Sequence, residues 1–355
     1  GTLNENHLSE REKAKEFFKL SLEILPSYVP SMLALADIAE KQEEWKLSAD
    51  YLQETLEYIK KSEEEAVILS KLGYIYRTKL EQDDKAAEMY KASLRISPNN
   101  LETLEPLADI YFEQAQWNDL ERILARITAL LNKDSLEKLI KYYYRWGITA
   151  ESLGKNDDAV SRYLTVLQNN EKHIDSFLAL TRIFHYKNQW NQLAQTCSQC
   201  LKLGLPEIEK EEILCKLALA EEKLEEDEKS ISHYEEAAKL NSKRVEIFES
   251  LSNLYKKIGN YKKCVECCEV ALSILAQNDD EKSKYCDILK QKGDALEKLE
   301  KIDEAIGPYL KYIELMPDDI QTTFIITNLY SKLKKWDKSL EWNDKHYALD
   351  RKSVV

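Results

Sequence analysis

Apolar residues recur at three- and four-residue steps along most of this chain, and short polar breaks interrupt them at regular distances. The clearest stretch is Leu72 to Pro98. There Leu72, Gly73, Tyr76, Ala86, Ala87, Tyr90 and Leu94 flank a polar break at Glu81 to Asp84. This spacing predicts two amphipathic helices joined by a tight turn. Gly73 and Ala86 are small where two helix backbones must approach, and Tyr76 and Tyr90 are large where the gap must be filled. Pro98 ends the second helix, because it has no amide proton and its ring obstructs the preceding turn. Similar first helices are expected at 32–39, 103–112, 142–154, 177–186, 247–259 and 322–330, with weaker ones at 212–223 and 287–298. Residues 1–13 read as a truncated first helix.

The small position that opens each second helix falls on Ala14, Ser48, Ala86, Leu120, Ala159, Leu193, Ser230, Cys264, Ala305 and Ser339. Intervals of 34 residues alternate with intervals of 37 to 41, so the period is a pair of repeats. Trp45, Trp117, Trp190 and Trp336, with Tyr261 in the remaining pair, each stand three residues before the second member's small position. First members instead tend to carry a terminating proline, at Pro26, Pro98 and Pro317. The surplus residues are about one helical turn. They predict a lengthened second helix or longer joint at 55–66, 127–137, 200–211 and 271–286, with Ser62 and Glu65 forming a capping box for the following helix. Inside Leu72 to Pro98, one extra residue is expected in the turn.

The order Leu-Gly, Tyr, Ala, aromatic, Ala and Pro in Leu72 to Pro98 resembles the tetratricopeptide repeat. The resemblance extends over residues 1–355. It implies an all-α, right-handed superhelix: a single solenoid domain of nine full repeats plus a truncated first one, cut from a longer chain. In that family the first helices line a groove that holds a peptide or partner protein. Carried over by register, the groove residues are Tyr74, Arg77, Tyr144, Ile148, Arg182, His185 and Tyr186, an aromatic–basic centre. Glu102, Glu105, Asp109 and Glu113 form an acidic wall beside it. The family's two-carboxylate clamp is not expected, since Asn253 and Asn328 lack its matching Lys and Arg partners. The implied role is a protein–protein interaction scaffold. The alternative is a regulatory or sensor domain of a larger enzyme or signalling protein. Self-association through uncapped ends is a third expectation.

Charge and chemistry narrow this further. The net charge of −13 argues against nucleic acid and anionic membrane as partners. No apolar run is long enough to cross a bilayer, so no direct membrane insertion is expected. The seven cysteines fall mostly at packing positions, which suggests reduced thiols and a cytoplasmic setting. Cys197, Cys200, Cys264 and Cys268 read as buried packing residues, and Cys267 as an exposed one. Acidic pairs Asp157-Asp158, Asp279-Asp280 and Asp318-Asp319 read as charges at helix N-termini. The five histidines have no ligand spacing, and no glycine-rich phosphate loop or nucleophile elbow occurs. Neither enzyme activity nor a cofactor nor a metal is expected.

Overall fold

The computed structural model describes residues 2–60, 62–276 and 281–353. The chain divides into two compact units, Gly1–Ser176 and Phe177–Val355. The first opens with α1 (Thr2–Ile24), followed by the hairpins α2 (Val29–Lys41) with α3 (Trp45–Thr55) and α4 (Glu63–Thr78) with α5 (Asp83–Ile96). Two more complete it: α6 (Leu101–Glu113) with α7 (Trp117–Leu130), and α8 (Leu136–Ser152) with α9 (Asn156–Asn169). The boundary falls inside α10 (Ile174–Tyr186), which α11 (Trp190–Leu201) follows. The second unit continues with α12 (Glu207–Lys223) and α13 (Asp227–Leu240), and α14 (Val245–Lys257) and α15 (Tyr261–Leu275). It closes with α16 (Lys282–Lys298) and α17 (Ile302–Leu315), and α18 (Ile320–Lys332) and α19 (Trp336–Ser353). The described residues thus form one leading helix and nine hairpins, with no strand among them.

The small positions read from sequence are the buried seams of these hairpins. Ser48, Ala86, Leu120, Ala159, Leu193, Ser230, Cys264 and Ala305 are all fully covered. Gly73 lies under the Tyr90 ring, Gly147 under Tyr163, and Gly293 under Tyr309. Each ring fills the space that a missing side chain leaves. Second members use a smaller filler, such as Leu52 with Ala36 or Leu124 with Ala108, and their second helices begin at the tryptophan or tyrosine.

Each hairpin turn has one residue in the left-handed region: Glu43, Glu81, Ala115, Gly154, Asn188, Glu225, Gly259, Glu300 and Lys334. In most, the next amide donates to a carbonyl five residues back, as Gln116 N does to Tyr111 O at 2.8 Å. This is the Schellman termination. In the α4–α5 turn the span is one longer, Gln82 N to Tyr76 O, as the extra residue there predicts.

Two expectations are corrected. Residues 1–13 do not hold a separate helix: Thr2–Ile24 is one element, and Gly1 lies outside the described residues. The stretch SEREKAKEFF is made of helix formers with no turn residue to interrupt it. The pairing of repeats is visible, and the joints after α3, α7, α11 and α15 are longer, as expected, than the four residues after α5, α9, α13 and α17. The alternative of a lengthened second helix is corrected, since the rest of the surplus lies at the entry of the next first helix. First helices α4, α8, α12 and α16 have 16 or 17 residues against 13 for α2, α6, α10, α14 and α18. Second helices α3 and α11, with 11 and 12 residues, are shorter than the 14 of α5 and α9. Ser62 Oγ accepts from Glu65 N at 3.2 Å and starts α4 early, with Glu63, Glu64 and Glu65 in its first turn. In the 271–286 joint, residues 277–280, and with them Asp279-Asp280, lie outside the described residues. Asp157 and Asp158 occupy the first turn of α9, and Asp319 caps α18 by accepting from Thr322 N at 3.0 Å.

Candidate functional site

First helices present one face that no second helix covers, and the expected groove residues lie on it. In the first unit, Tyr74 and Arg77 edge a recess of about 400 Å³ with Ser70, Glu102, Pro106 and Asp109. Arg77 is not free to meet a ligand. It donates to the Pro106 carbonyl and to Glu113 at 2.9 Å, and lies 4.0 Å from Asp109. From the other side Arg145 donates to Asp109, and Lys138 reaches Glu105 at 2.8 Å. Glu105, Asp109 and Glu113 of the acidic wall are therefore taken up by a ladder of ion pairs from both neighbouring repeats. Tyr144 and Ile148 are half-buried, and the Tyr144 ring packs against His173 at 4.9 Å and Tyr163 at 5.8 Å. Tyr144 is a packing residue as much as a surface one.

The second unit differs. A cleft of about 460 Å³ opens over α12, between α10 and α14. His185 of α10 lines it, together with Ile208, Cys215 and Leu219 of α12 and Ile247 of α14. Tyr186 beside it is 78% exposed and Ile208 is 81% exposed, far more than a packed side chain. Arg182, also on the exposed face of α10, acts on Glu212. The charged lining is paired: Arg244 to Glu211 at 2.6 Å and Lys216 to Glu212 at 2.6 Å. The Lys216 hydrogen bond, aided by Arg244 and Arg182, holds the Glu212 carboxyl below its usual range. Burial pushes the Tyr234 phenol on the cleft floor up to about 12 and the Cys215 thiol likewise to about 12, so both stay neutral.

Of the seven expected residues, the structure thus places Tyr74 with Arg77 at one recess and His185 at another, with Arg182 and Tyr186 beside it. Residues 207–223 were the blind spot. Glu211 and Glu221 stand where apolar residues belong, and this weakens the helical contrast in α12. The sequence signal was the anomaly itself: acids at packing positions.

The cysteines behave as small apolar fillers. Cys197, Cys200, Cys264 and Cys268 are fully buried. Burial pushes the Cys197 thiol up to about 12 and that of Cys200 to about 11. Cys267 is half-buried and not exposed, with its thiol also pushed up to about 12. Cys264 alone is shifted the other way, its pKa lowered by the hydrogen bond from Cys268, and it is fully buried. The described residues contain no group of His, Cys, Asp and Glu that could hold a metal ion, and no helix long and apolar enough to cross a membrane.

The family model of the tetratricopeptide repeat matches residues 66–100, 211–244 and 245–278, which are α4–α5, α12–α13 and α14–α15. These three hairpins are tetratricopeptide repeats, and the chain has the tetratricopeptide-repeat fold. A TPR repeat-containing protein of Methanocaldococcus jannaschii is 25% identical over 199 residues, or 54% of this chain. The match spans only 34% of that relative's length. Among solved structures, one of Naa15/Naa10 bound to HypK-THB aligns with TM-score 0.52 and 14% identity, over 99% of this chain and 62% of the other. The C-terminal part of a TPR repeat-containing protein from Cytophaga hutchinsonii aligns with TM-score 0.50 and 14% identity, over 74% and 98%. These two show the tetratricopeptide-repeat fold. Tetratricopeptide repeats generally mediate protein–protein interaction.

Proposed function

We propose that this chain is a protein–protein interaction module, and that the first-helix face of its second unit holds an extended segment of a partner protein. The observation that carries this is the cleft over α12, bordered by side chains left uncovered at Ile208, His185 and Tyr186. An aliphatic or aromatic residue of the partner fits over Leu219, Cys215 and Ile247, where displacing water from apolar surface contributes about 25 cal/mol per Å². Tyr186 and Arg182 supply flat and charged contacts at the edge, side-chain types that concentrate interface energy. The recess of the first unit is smaller, about 400 Å³, and its Arg77 is taken up by Pro106 and Glu113, which favours the second unit as the binding face.

The test uses random peptides displayed against the immobilised full chain, with affinities of selected peptides measured by fluorescence anisotropy. Arg182→Glu with Tyr186→Ala, and separately Ile208→Asp, should each weaken binding about tenfold or more at unchanged helical content. Glu102→Lys with Glu105→Lys is the control in the first unit. Peptides lost only with the control variant would place recognition on the acidic wall and refute the assignment. Binding that survives all three would move it off the first-helix faces.

A further inference from the structure

Three positions after the close-approach residue of each first helix lies a core slot. Tyr76, Tyr111, Phe184, Tyr255, Leu296 and Tyr330 fill it and are buried. In α12 the same slot holds Glu221, which is 5% exposed. Its Oε2 stands 2.7 Å from Nδ1 of His233 on α13. The α4–α5 hairpin has Tyr76 and Met89 at these two places. Where that hairpin has an aromatic and an aliphatic residue, this one has an ionisable pair. We propose that Glu221 and His233 form a proton-linked latch, which holds α12 against α13 more tightly in mildly acidic than in mildly alkaline solution.

A carboxylate this far from water is costly unless its charge is met by a partner. An imidazolium meets it, and a neutral imidazole leaves it with a hydrogen bond alone. The groups around the pair reinforce this. From α11, Cys197 comes near Glu221 and stays a neutral thiol. On α13 itself, the Lys229 carbonyl also accepts from the ring, and Glu236 adds negative charge while pairing with Lys210 of α12 at 2.7 Å. The Lys229 ammonium is exposed and paired with Glu226 at 2.9 Å. From α14, Lys257 and Tyr255 are engaged by Asp227 at 2.7 Å and Glu235 at 2.5 Å. The Glu221 hydrogen bond accordingly raises the His233 pKa above its ordinary value. A raised histidine contributes stability that is fully present below the ordinary imidazole value and is lost as pH climbs through the raised one.

The latch is independent of whatever the cleft binds. Its test is amide hydrogen exchange of the full chain at about pH 6 and about pH 8.5, corrected for intrinsic rates. Protection of α12 and α13 relative to α8 and α9 should fall roughly threefold or more at the higher pH. Glu221→Tyr with His233→Met, the pair that α4–α5 carries, should flatten that ratio. His233→Gln should flatten it too, by removing the charge alone. The latch is overturned if either variant keeps the wild-type pH dependence. It is equally overturned if the His233 ring, followed by NMR, titrates at or below the ordinary histidine range, an observation that needs no variant to fold.

Discussion

Gly73→Ala should destabilise this chain although it adds a better helix former. A Cβ on Gly73 would stand 2.6, 2.7 and 2.9 Å from three ring atoms of Tyr90. Carbon pairs rest at about 3.5–4.0 Å, so the ring must retreat by roughly 1 Å. Tyr90 is 2% exposed and closed in by the core of its hairpin, which leaves it little room to move. Overpacking of this kind costs about 1–3 kcal/mol. Against it stands the gain from Gly to Ala in a helix, about 1 kcal/mol. The net expectation is a loss of up to about 2 kcal/mol. The second members suggest the compensating partner: at the same two register positions they carry Ala36 with Leu52, and Ala108 with Leu124, all buried. Gly73→Ala combined with Tyr90→Leu should therefore recover most of the first change, giving a coupling of about 1 kcal/mol or more in a double-mutant cycle. Urea unfolding of the four proteins, followed by circular dichroism, measures it. The α12–α13 hairpin bounds the reasoning, since it carries Ala218 and Tyr234 at the same two register positions and both are buried. A hairpin free to widen around the added Cβ would show a higher midpoint for Gly73→Ala and no coupling. Either result refutes the close-approach argument.

Ala115, with φ of 54°, is exposed and stands where glycine is cheaper. Ala115→Gly should raise stability by about 0.5–1 kcal/mol, and an unchanged or lower thermal midpoint would contradict this. Asp109 accepts from Arg145 and lies near Arg77 and Lys141, so Asp109→Asn should lower the melting midpoint at low salt and much less at about 1 M salt. A loss of equal size at both ionic strengths would show that packing and not charge accounts for it.

The fold was legible because each hairpin repeats the same alternation of small and large residues, and Gly73, Ala86 and Tyr90 are sufficient to set the register. The position of the surplus turn was less so. Glu63 to Glu65 carry no apolar mark to show whether they end one helix or begin the next. The Ser62 cap was the clue that they begin it. The candidate site was half legible. Register alone finds exposed positions such as His185 and Tyr186. It cannot tell that Arg77 is already held by Glu113, because that partner lies 36 residues away, about one repeat along the chain. It also passes over α12, where Glu211 and Glu221 take their partners, Arg244 and His233, from later in the chain.

The alternation of long and short first helices bears on how such a chain grows. A long first helix always comes with a tyrosine on the opposing second helix, and a short one with an aromatic residue that opens its second helix. Traits that travel together in this way are inherited as a block, and here the block is two hairpins. A lone hairpin gained or lost would set a long entry against a joint built for a short one. Counted in pairs of hairpins, the phase persists from α2 to α19, with Ala218 in the place of glycine and Tyr261 in the place of tryptophan.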